Sequence, residues 1–219
     1  MLVLVTGARG FVGRHVAAEF ERRGASVLAV DRDEADVCDA EAVARVVARA
    51  LPDAVVHLAA QSRVAASFAD PAGTLRANVL GTVAVLEAVR AHAPRARVVV
   101  ASSAEVYGSP RAEELPLDEL APLAPVNPYG ASKVAQEAVA LQYARGLGVD
   151  ALVVRVFNAI GPGQSTDFAL PGWAAQLAAI SRGEAPPVLR VGNLAVARDL
   201  VDVRDVARAY AALVDHGVR

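Results

Sequence analysis

Five short apolar runs rich in β-branched residues, Leu2–Thr6, Ser26–Asp31, Ala54–Leu58, Arg97–Ser102 and Ala151–Phe157, alternate with longer stretches of helical period. Near-continuous apolar strands of this kind are buried on both faces, and a strand, helix, strand order joins parallel neighbours by right-handed crossovers. The intervening helices are predicted at about Gly10–Arg23, Ala40–Ala50, Thr74–His92 and Pro128–Leu147, with two more at Leu170–Arg182 and Val203–His216. Asp70-Pro71, Ala93-Pro94, Asn127-Pro128 and Gly161-Pro162-Gly163 punctuate the pattern, and Glu113–Pro125 is rich in proline and acid without a helical period. The expectation is an α/β fold, a doubly wound parallel sheet of Rossmann type with the start of a small C-terminal lobe.

A chain of 219 residues buries roughly 70% of its unfolded surface and needs no disulfide or metal to fold. Cys38 is the single cysteine, which excludes disulfide scaffolds and cysteine-based zinc sites and fits a reducing cytoplasm. With 22 Lys+Arg against 24 Asp+Glu and a net charge of -2, the chain lacks the broad cationic field that nucleic acid or anionic lipid selects. Its 54% hydrophobic content and mean hydropathy of +0.35 are high. Much of this is alanine, however, and no apolar run of membrane-spanning length lacks a break or charge, so no membrane partner is expected.

The first strand runs directly into Gly7-Ala8-Arg9-Gly10-Phe11-Val12-Gly13 and a helix. Glycines at this spacing let backbone approach a pyrophosphate, and the helix start offers unpaired N–H groups and the positive end of its dipole. Asp31 closes the second strand at the separation where a carboxylate accepts ribose hydroxyls. Together these predict a bound dinucleotide, NAD or NADP. Arg9 and Arg32 leave the choice open, since a guanidinium beside Asp31 pairs with a 2′-phosphate.

Asn127 is a good N-cap and Pro128 a good first helical residue, which places Tyr129 in the first turn and Lys133 four positions on, on the same face. A tyrosine must fall about 3 pH units, or about 4 kcal/mol, to exchange protons near neutrality. An ammonium about 4 Å away at an effective dielectric near 20 supplies roughly that amount. Ser103, just past the fourth strand, is expected at the carboxyl edge of the sheet, able to hold a carbonyl or hydroxyl oxygen.

Thr6-Gly-Ala-Arg-Gly-Phe-Val-Gly13, His57-Leu-Ala-Ala60, Asn78, Ser102-Ser-Ala-Glu-Val-Tyr-Gly108 and Tyr129-Gly-Ala-Ser-Lys133 together resemble the extended short-chain dehydrogenases/reductases that act on nucleotide sugars, the NAD-dependent epimerase/dehydratase family. The resemblance covers essentially the whole chain. Within the family, His57-Leu-Ala-Ala-Gln-Ser62, Phe157-Asn-Ala-Ile-Gly-Pro-Gly-Gln164 and Val191-Gly-Asn-Leu-Ala-Val-Ala-Arg-Asp199 are most similar to reductases of GDP-linked 4-keto-6-deoxymannose. The resemblance implies an enzyme in which hydride passes from NAD(P)H to the C4 carbonyl while Tyr129 donates a proton, Lys133 tunes it and Ser103 orients the carbonyl. It also implies that Gly7, Arg9, Gly10, Phe11, Val12, Asp31, Arg32, Asp36, Val37, Leu58, Ala59, Ala60 and Asn78 hold the cofactor with Tyr129 and Lys133. Gln61, Asn158 and Arg198, with Ser103 and Glu105, would hold the nucleotide sugar. His57 reads instead as a strand-end packing residue, Asn78 equally as a hydrogen bonder at a helix start, and Arg198 equally as the partner of Asp199 or Asp202.

Glu105 stands where related GDP-mannose 4,6-dehydratases resemble this pattern and use an acid/base, so dehydration remains a competing reaction, as does 4-epimerisation of a UDP-sugar. A competitor of another class is an NAD(P)-binding sensor or scaffold. Relatives are expected to continue past the last helix, so residues 1–160 should form a whole cofactor domain and 161–219 part of a substrate region interleaved with it. Such a chain is expected to bind NAD(P) but turn over nucleotide sugar poorly. The alanine-rich helices Thr74–His92 and Pro128–Leu147, apolar on more than one face, are expected to pair a homodimer as a four-helix bundle.

Overall fold

The structure, a computed structural model, describes residues 1–216. Five parallel strands form the central sheet in the order β2 (Ser26–Val30), β1 (Leu2–Thr6), β3 (Ala54–His57), β4 (Arg97–Ser103) and β5 (Ala151–Val156). Their period of two divides the apolar side chains between two cores. Leu4, Val55, Val98 and Val100 face one side, against the helices α2 (Ala40–Ala50), α5 (Gly81–His92) and α6 (Pro128–Leu147). Val3, Val5, Val56 and Val99 face the other, against α1 (Phe11–Arg22) and α8 (Val203–His216). Each fully buried side chain of this size contributes roughly 1.5–3 kcal/mol.

The strand order reverses direction between β1 and β3, because β1 leads to β2 on one side and the chain then crosses back to β3. This opens a crevice at the carboxyl ends of those strands, where ligands of open α/β sheets bind. Capping agrees with the sequence. Asp39 Oδ1 accepts from Ala42 N at 3.0 Å to start α2, and Asn127 Oδ1 accepts from Gly130 N at 2.7 Å to start α6. Gly148, at φ +72°, ends α6 in the left-handed conformation that favours glycine.

Three features differ from the sequence expectation. The helix expected from Thr74 begins at Pro71, capped by Asp70, and runs as α4 (Pro71–Leu75), a π turn over Arg76–Leu80 and then α5. This Pro71–His92 run is long and apolar enough to cross a membrane by length and composition, but half of its most apolar window is buried inside the fold. A short helix, α3 (Val64–Ala69), precedes it, in a stretch too short and too alanine-rich to show a period. Beyond β5, the pair β6 (Asn158–Ile160) and β7 (Leu200–Asp202) forms a small parallel sheet, with α7 (Ala169–Ser181) between them in the chain. The chain then returns as α8 to pack on α1, with Val206, Ala207, Tyr210, Ala211 and Val214 completing the second core.

Candidate active site

A cleft of about 540 Å³ lies over the carboxyl ends of the central strands, walled at one end by the glycine turn and at the other by the start of α6. Gly7 takes φ +70°, and a Cβ there would come within 2.8 Å of Ala59 N. At Gly13 a Cβ would lie 2.1 Å from Gly7 O, so neither position admits a side chain. No side chain caps α1 at Gly10. The first-turn N–H groups, which have no partner within the helix, therefore belong to residues that line the cleft, Phe11, Val12 and Gly13. A cradle that any Cβ would fill, at a helix N-terminus, fits a dinucleotide pyrophosphate.

Asp31 lines the cleft with Arg32, Asp36 and Val37, and Leu58, Ala59, Ala60 and Gln61 form the wall beyond β3. Asp31 Oδ2 accepts from Arg9 N at 2.9 Å. The Arg9 side chain does not line the cleft. It is 57% exposed and is taken up by Asp33 at 2.6 Å, by Glu34, and by Asp31 at 3.7 Å. Arg32 stands 3.5 Å from Asp36. Both guanidiniums are thus already matched to carboxylates of the Asp31–Asp36 turn.

Ser103, Tyr129 and Lys133 converge on the same cleft from β4 and α6. Tyr129 N donates to Ser67 Oγ at 3.1 Å, so the short helix α3, which had no signal in the sequence, anchors the first turn of α6. Lys133 Nζ lies 5.8 Å from the Tyr129 ring centroid and donates to Ala101 O and to Gln136 Oε1, both at 2.8 Å. The structure corrects one expectation here. Burial raises the Tyr129 phenol, with Ser103 hydrogen bonding acting against it and the Glu105 charge adding to it, the opposite of the lowering by Lys133 that the spacing predicts. Lys133 is itself buried, and desolvation pushes its ammonium down to about 7. An ammonium that neutralises so readily does not hold the phenol down in the cofactor-free chain.

Five expected site residues stand outside the lining. Arg9 is one. Asn78 is fully buried and works behind the wall: its Oδ1 accepts from Gln61 N at 2.8 Å and its Nδ2 donates to Gln61 O at 3.0 Å and Ser132 Oγ at 2.8 Å. Glu105 sits in the turn after β4, where its Oε2 accepts from Asn127 Nδ2 at 2.7 Å and so holds the cap of α6. Asn158 Nδ2 donates to Asp199 O at 3.0 Å within the small sheet. Arg198 is exposed and, among the described residues, donates to Ala197 O alone, while Asp202 pairs with Arg204 at 2.6 Å. Residues the motifs did not single out also line the cleft, among them Arg63, Phe168 and Tyr210. Arg63 meets Asp167 at 3.2 Å, which draws the segment before α7 to the cleft mouth. Tyr210 lies on the apolar stripe of α8 and reads from sequence as core, yet its buried hydroxyl has no hydrogen-bond partner among the described residues.

The profile of the NAD dependent epimerase/dehydratase family matches residues 3–219. Among relatives, the chain is 39% identical to the GDP-6-deoxy-D-mannose reductase of Pseudomonas aeruginosa, over 98% of this chain and 71% of that protein. It is 33% identical to dTDP-glucose 4,6-dehydratase 1 of Escherichia coli K12, over 99% of this chain and 69% of the relative. Among solved structures, RMD from Pseudomonas aeruginosa complexed with NADPH superposes with a TM-score of 0.92 at 38% identity, covering 99% of this chain and 74% of that one. The UDP-glucose 4-epimerase of Thermus thermophilus in complex with NAD superposes with a TM-score of 0.84 at 31% identity, covering 98% and 75%. With its glycine cradle, its Ser103, Tyr129 and Lys133 in one cleft and these likenesses along its whole length, the chain belongs to the NAD dependent epimerase/dehydratase family.

Proposed function

We propose that this protein reduces the 4-keto group of a nucleotide-linked 6-deoxyhexose, converting GDP-4-keto-6-deoxy-D-mannose to GDP-D-rhamnose with NADH or NADPH. The observation that carries the reading is the convergence of Ser103, Tyr129 and Lys133 on the cleft built by the glycine turn, in a chain 39% identical to a GDP-6-deoxy-D-mannose reductase. The bound dinucleotide supplies the hydride that reaches C4. Ser103 Oγ orients the carbonyl, and the Tyr129 phenol gives its proton to the oxygen as the new C–H bond forms, so that ketone, hydride and proton become the alcohol. Burial keeps that phenol protonated at neutral pH, which suits a proton donor. Dehydration and 4-epimerisation begin instead by oxidising the alcohol and need the phenolate. Lys133 faces the cleft beside Tyr129, where it holds the ribose of the dinucleotide and resupplies the proton. Glu105, held by Asn127, is spent on the helix cap.

Residues 1–160 carry the cofactor half in this reading and 161–219 a part of the substrate half. Exposed Leu80, in the π turn before α5, and Leu147, at the end of α6, support a homodimer through a bundle of the Pro71–His92 run and α6 from each protomer, in the cytoplasm where nucleotide sugars are made. Incubation with GDP-4-keto-6-deoxymannose and each reduced nicotinamide cofactor tests the reaction by mass analysis. Slow turnover is expected, with one cofactor consumed per sugar and a product heavier by two hydrogens. Release of water from GDP-mannose without net cofactor use would establish the dehydratase reaction instead, and dinucleotide binding without any turnover would mark a sensor.

A further inference from the structure

Of the 22 basic residues in the chain, Lys133 is the only lysine. Its amine occupies a frame that an arginine cannot share. Ala101 O and Gln136 Oε1 each accept from Nζ at 2.8 Å, while the residue also borders the cleft. An ammonium in this frame has one N–H left for the cleft. A neutral amine gives its two N–H groups to the same acceptors and turns its lone pair to the cleft. Proton loss therefore changes what faces the cleft without rearranging what holds the nitrogen. A guanidinium, always charged and planar, offers no such exchange.

The amide of Gln136 is itself fixed by a buried chain of hydrogen bonds. Gln136 Nε2 donates to Thr82 Oγ1 at 2.7 Å, which orients Oε1 toward Lys133. The Thr82 hydroxyl proton goes to Asn78 O at 2.7 Å, so Thr82 Oγ1 must also accept from His57 Nε2 at 3.0 Å. His57 Nδ1 then accepts from Thr6 Oγ1 at 2.7 Å, and Thr6 Oγ1 accepts from Ala59 N at 3.2 Å, in the wall of the cleft. Each donor in this sequence has one acceptor, and the polarity admits only neutral His57. Burial and the charge of Lys133 push His57 down to about 3, which keeps it so.

We propose that Gln136 is a positioning residue whose amide oxygen, locked through Thr82 and His57, holds the Lys133 amine so that one N–H faces the cleft and decides at what pH that amine carries its proton. The proposal rests on the reading of Lys133 as a cofactor- and proton-handling residue. The other titratable groups around Lys133 are few. Tyr129 and Glu137 share α6 with it, and His57 approaches from β3. Glu137 is already paired with Arg155 of β5 at 2.8 Å. Glu105, in the turn after β4, is held by Asn127, and on α5 Glu87 pairs with Arg90 and accepts from Tyr143 Oη.

Because Lys133 is the only lysine, protein labelled with carbon-13 at lysine Cε gives one side-chain resonance, whose pH titration reads this amine directly in the cofactor-free chain. The wild-type midpoint is expected near 7. Gln136→Glu places a carboxylate against the amine and is expected to raise the midpoint by about 1–3 pH units. Gln136→Met removes the acceptor while keeping the volume and is expected to lower it by about 1. Thr82→Val, which frees the amide to turn, is expected to move it in the same direction as Gln136→Met but less, and serves if Gln136→Met does not fold. The alkaline limb of kcat/KM should move with each midpoint. A purely structural Gln136 would change melting temperature or total activity without displacing the midpoint in opposite directions for Glu and Met. Coincident midpoints in wild type and variants, or a wild-type midpoint at the ordinary lysine value, would overturn the proposal. Failure to reduce the keto sugar would overturn the assigned reaction and leave the titration result standing by itself.

Discussion

Glu137→Gln should destabilise the protein severely, and the structure sets the size. Glu137 is 3% exposed and faces the Arg155 side chain, itself 17% exposed. Arg155 uses its whole fork: Nε and Nη2 donate to Glu137, while Nη1 donates to Tyr107 Oη at 2.9 Å and Glu119 O at 3.0 Å. The guanidinium also stands 5.1 Å from the Tyr107 ring centroid, and Ser102 Oγ donates to Glu137 Oε1. Neutralising Glu137 leaves a largely buried cation without a counter-charge, at a cost of about 3–5 kcal/mol. A domain of this size is stable by about 5–15 kcal/mol, so about a fifth or more is lost. At about 2–4 °C per kcal/mol the melting temperature should fall by roughly 6–20 °C. Urea titration of Glu137→Gln, Arg155→Met and the Glu137→Met/Arg155→Met double variant measures this. The double variant should be more stable than the sum of the singles predicts, because it leaves no orphaned charge. A single-variant loss under about 1 kcal/mol would mean that water reaches the pair, and the reasoning from its burial would be wrong. The pair joins β5 and α6 to the turn after β4, so kcat should drop in parallel if the turn loosens around Ser103.

Three further outcomes are expected. Tyr129→Phe should lower turnover of the keto sugar by about 10²–10⁴-fold with dinucleotide affinity nearly unchanged, in steady-state kinetics beside a binding titration. The Asp31 carboxylate should favour the ribose diol of NADH, with Arg9 and Arg32 beside it softening that preference enough for NADPH to bind as well; fluorescence titration that finds NADPH preferred more than a hundredfold would mean Asp31 does not meet the ribose. His57 binds its proton only near 3 in the folded chain and near 6.5 when unfolded. Its contribution is therefore present above about pH 6.5 and lost as pH falls toward 3, up to about 5 kcal/mol, and His57→Asn should flatten that limb of a stability-versus-pH curve.

The local grammar of the chain was legible in advance because its causes are local. Apolar runs of strand length, the Asn127-Pro128 cap and the spacing of Tyr129 to Lys133 depend on residues within a turn or two of one another. Each of the six long helices α1, α2, α5, α6, α7 and α8 has its C-terminal end within a residue of the expected boundary. The glycine turn was equally plain, since the absence of a Cβ is written in the residue type and only its close neighbours, Ala59 N and Gly7 O, waited on the fold. The π turn at Arg76–Leu80 and the helix α3 were not legible, because short alanine-rich stretches fit several helical geometries and packing against α6 selects among them.

What the sequence by itself determined is the sheet, the cradle and the identity of the groups that meet in the cleft. Tertiary structure decided their chemical state. Four positions on one helix place Lys133 beside Tyr129, but its neutralisation near 7 arises from desolvation by elements far apart in the chain, and the same burial raises the phenol. Arg9 is expected at the cofactor from its place in the glycine turn, yet it turns to Asp33 and Glu34 because the turn after β2 folds back on it. Gln136 and Thr82, separated by 54 positions, and Thr6 and His57, separated by 51, form one buried chain only when α6, α5, β3 and β1 are packed. Periodicity and turn chemistry are fixed by neighbours in sequence, whereas solvent exclusion and long-range hydrogen-bond partners exist only in the assembled core.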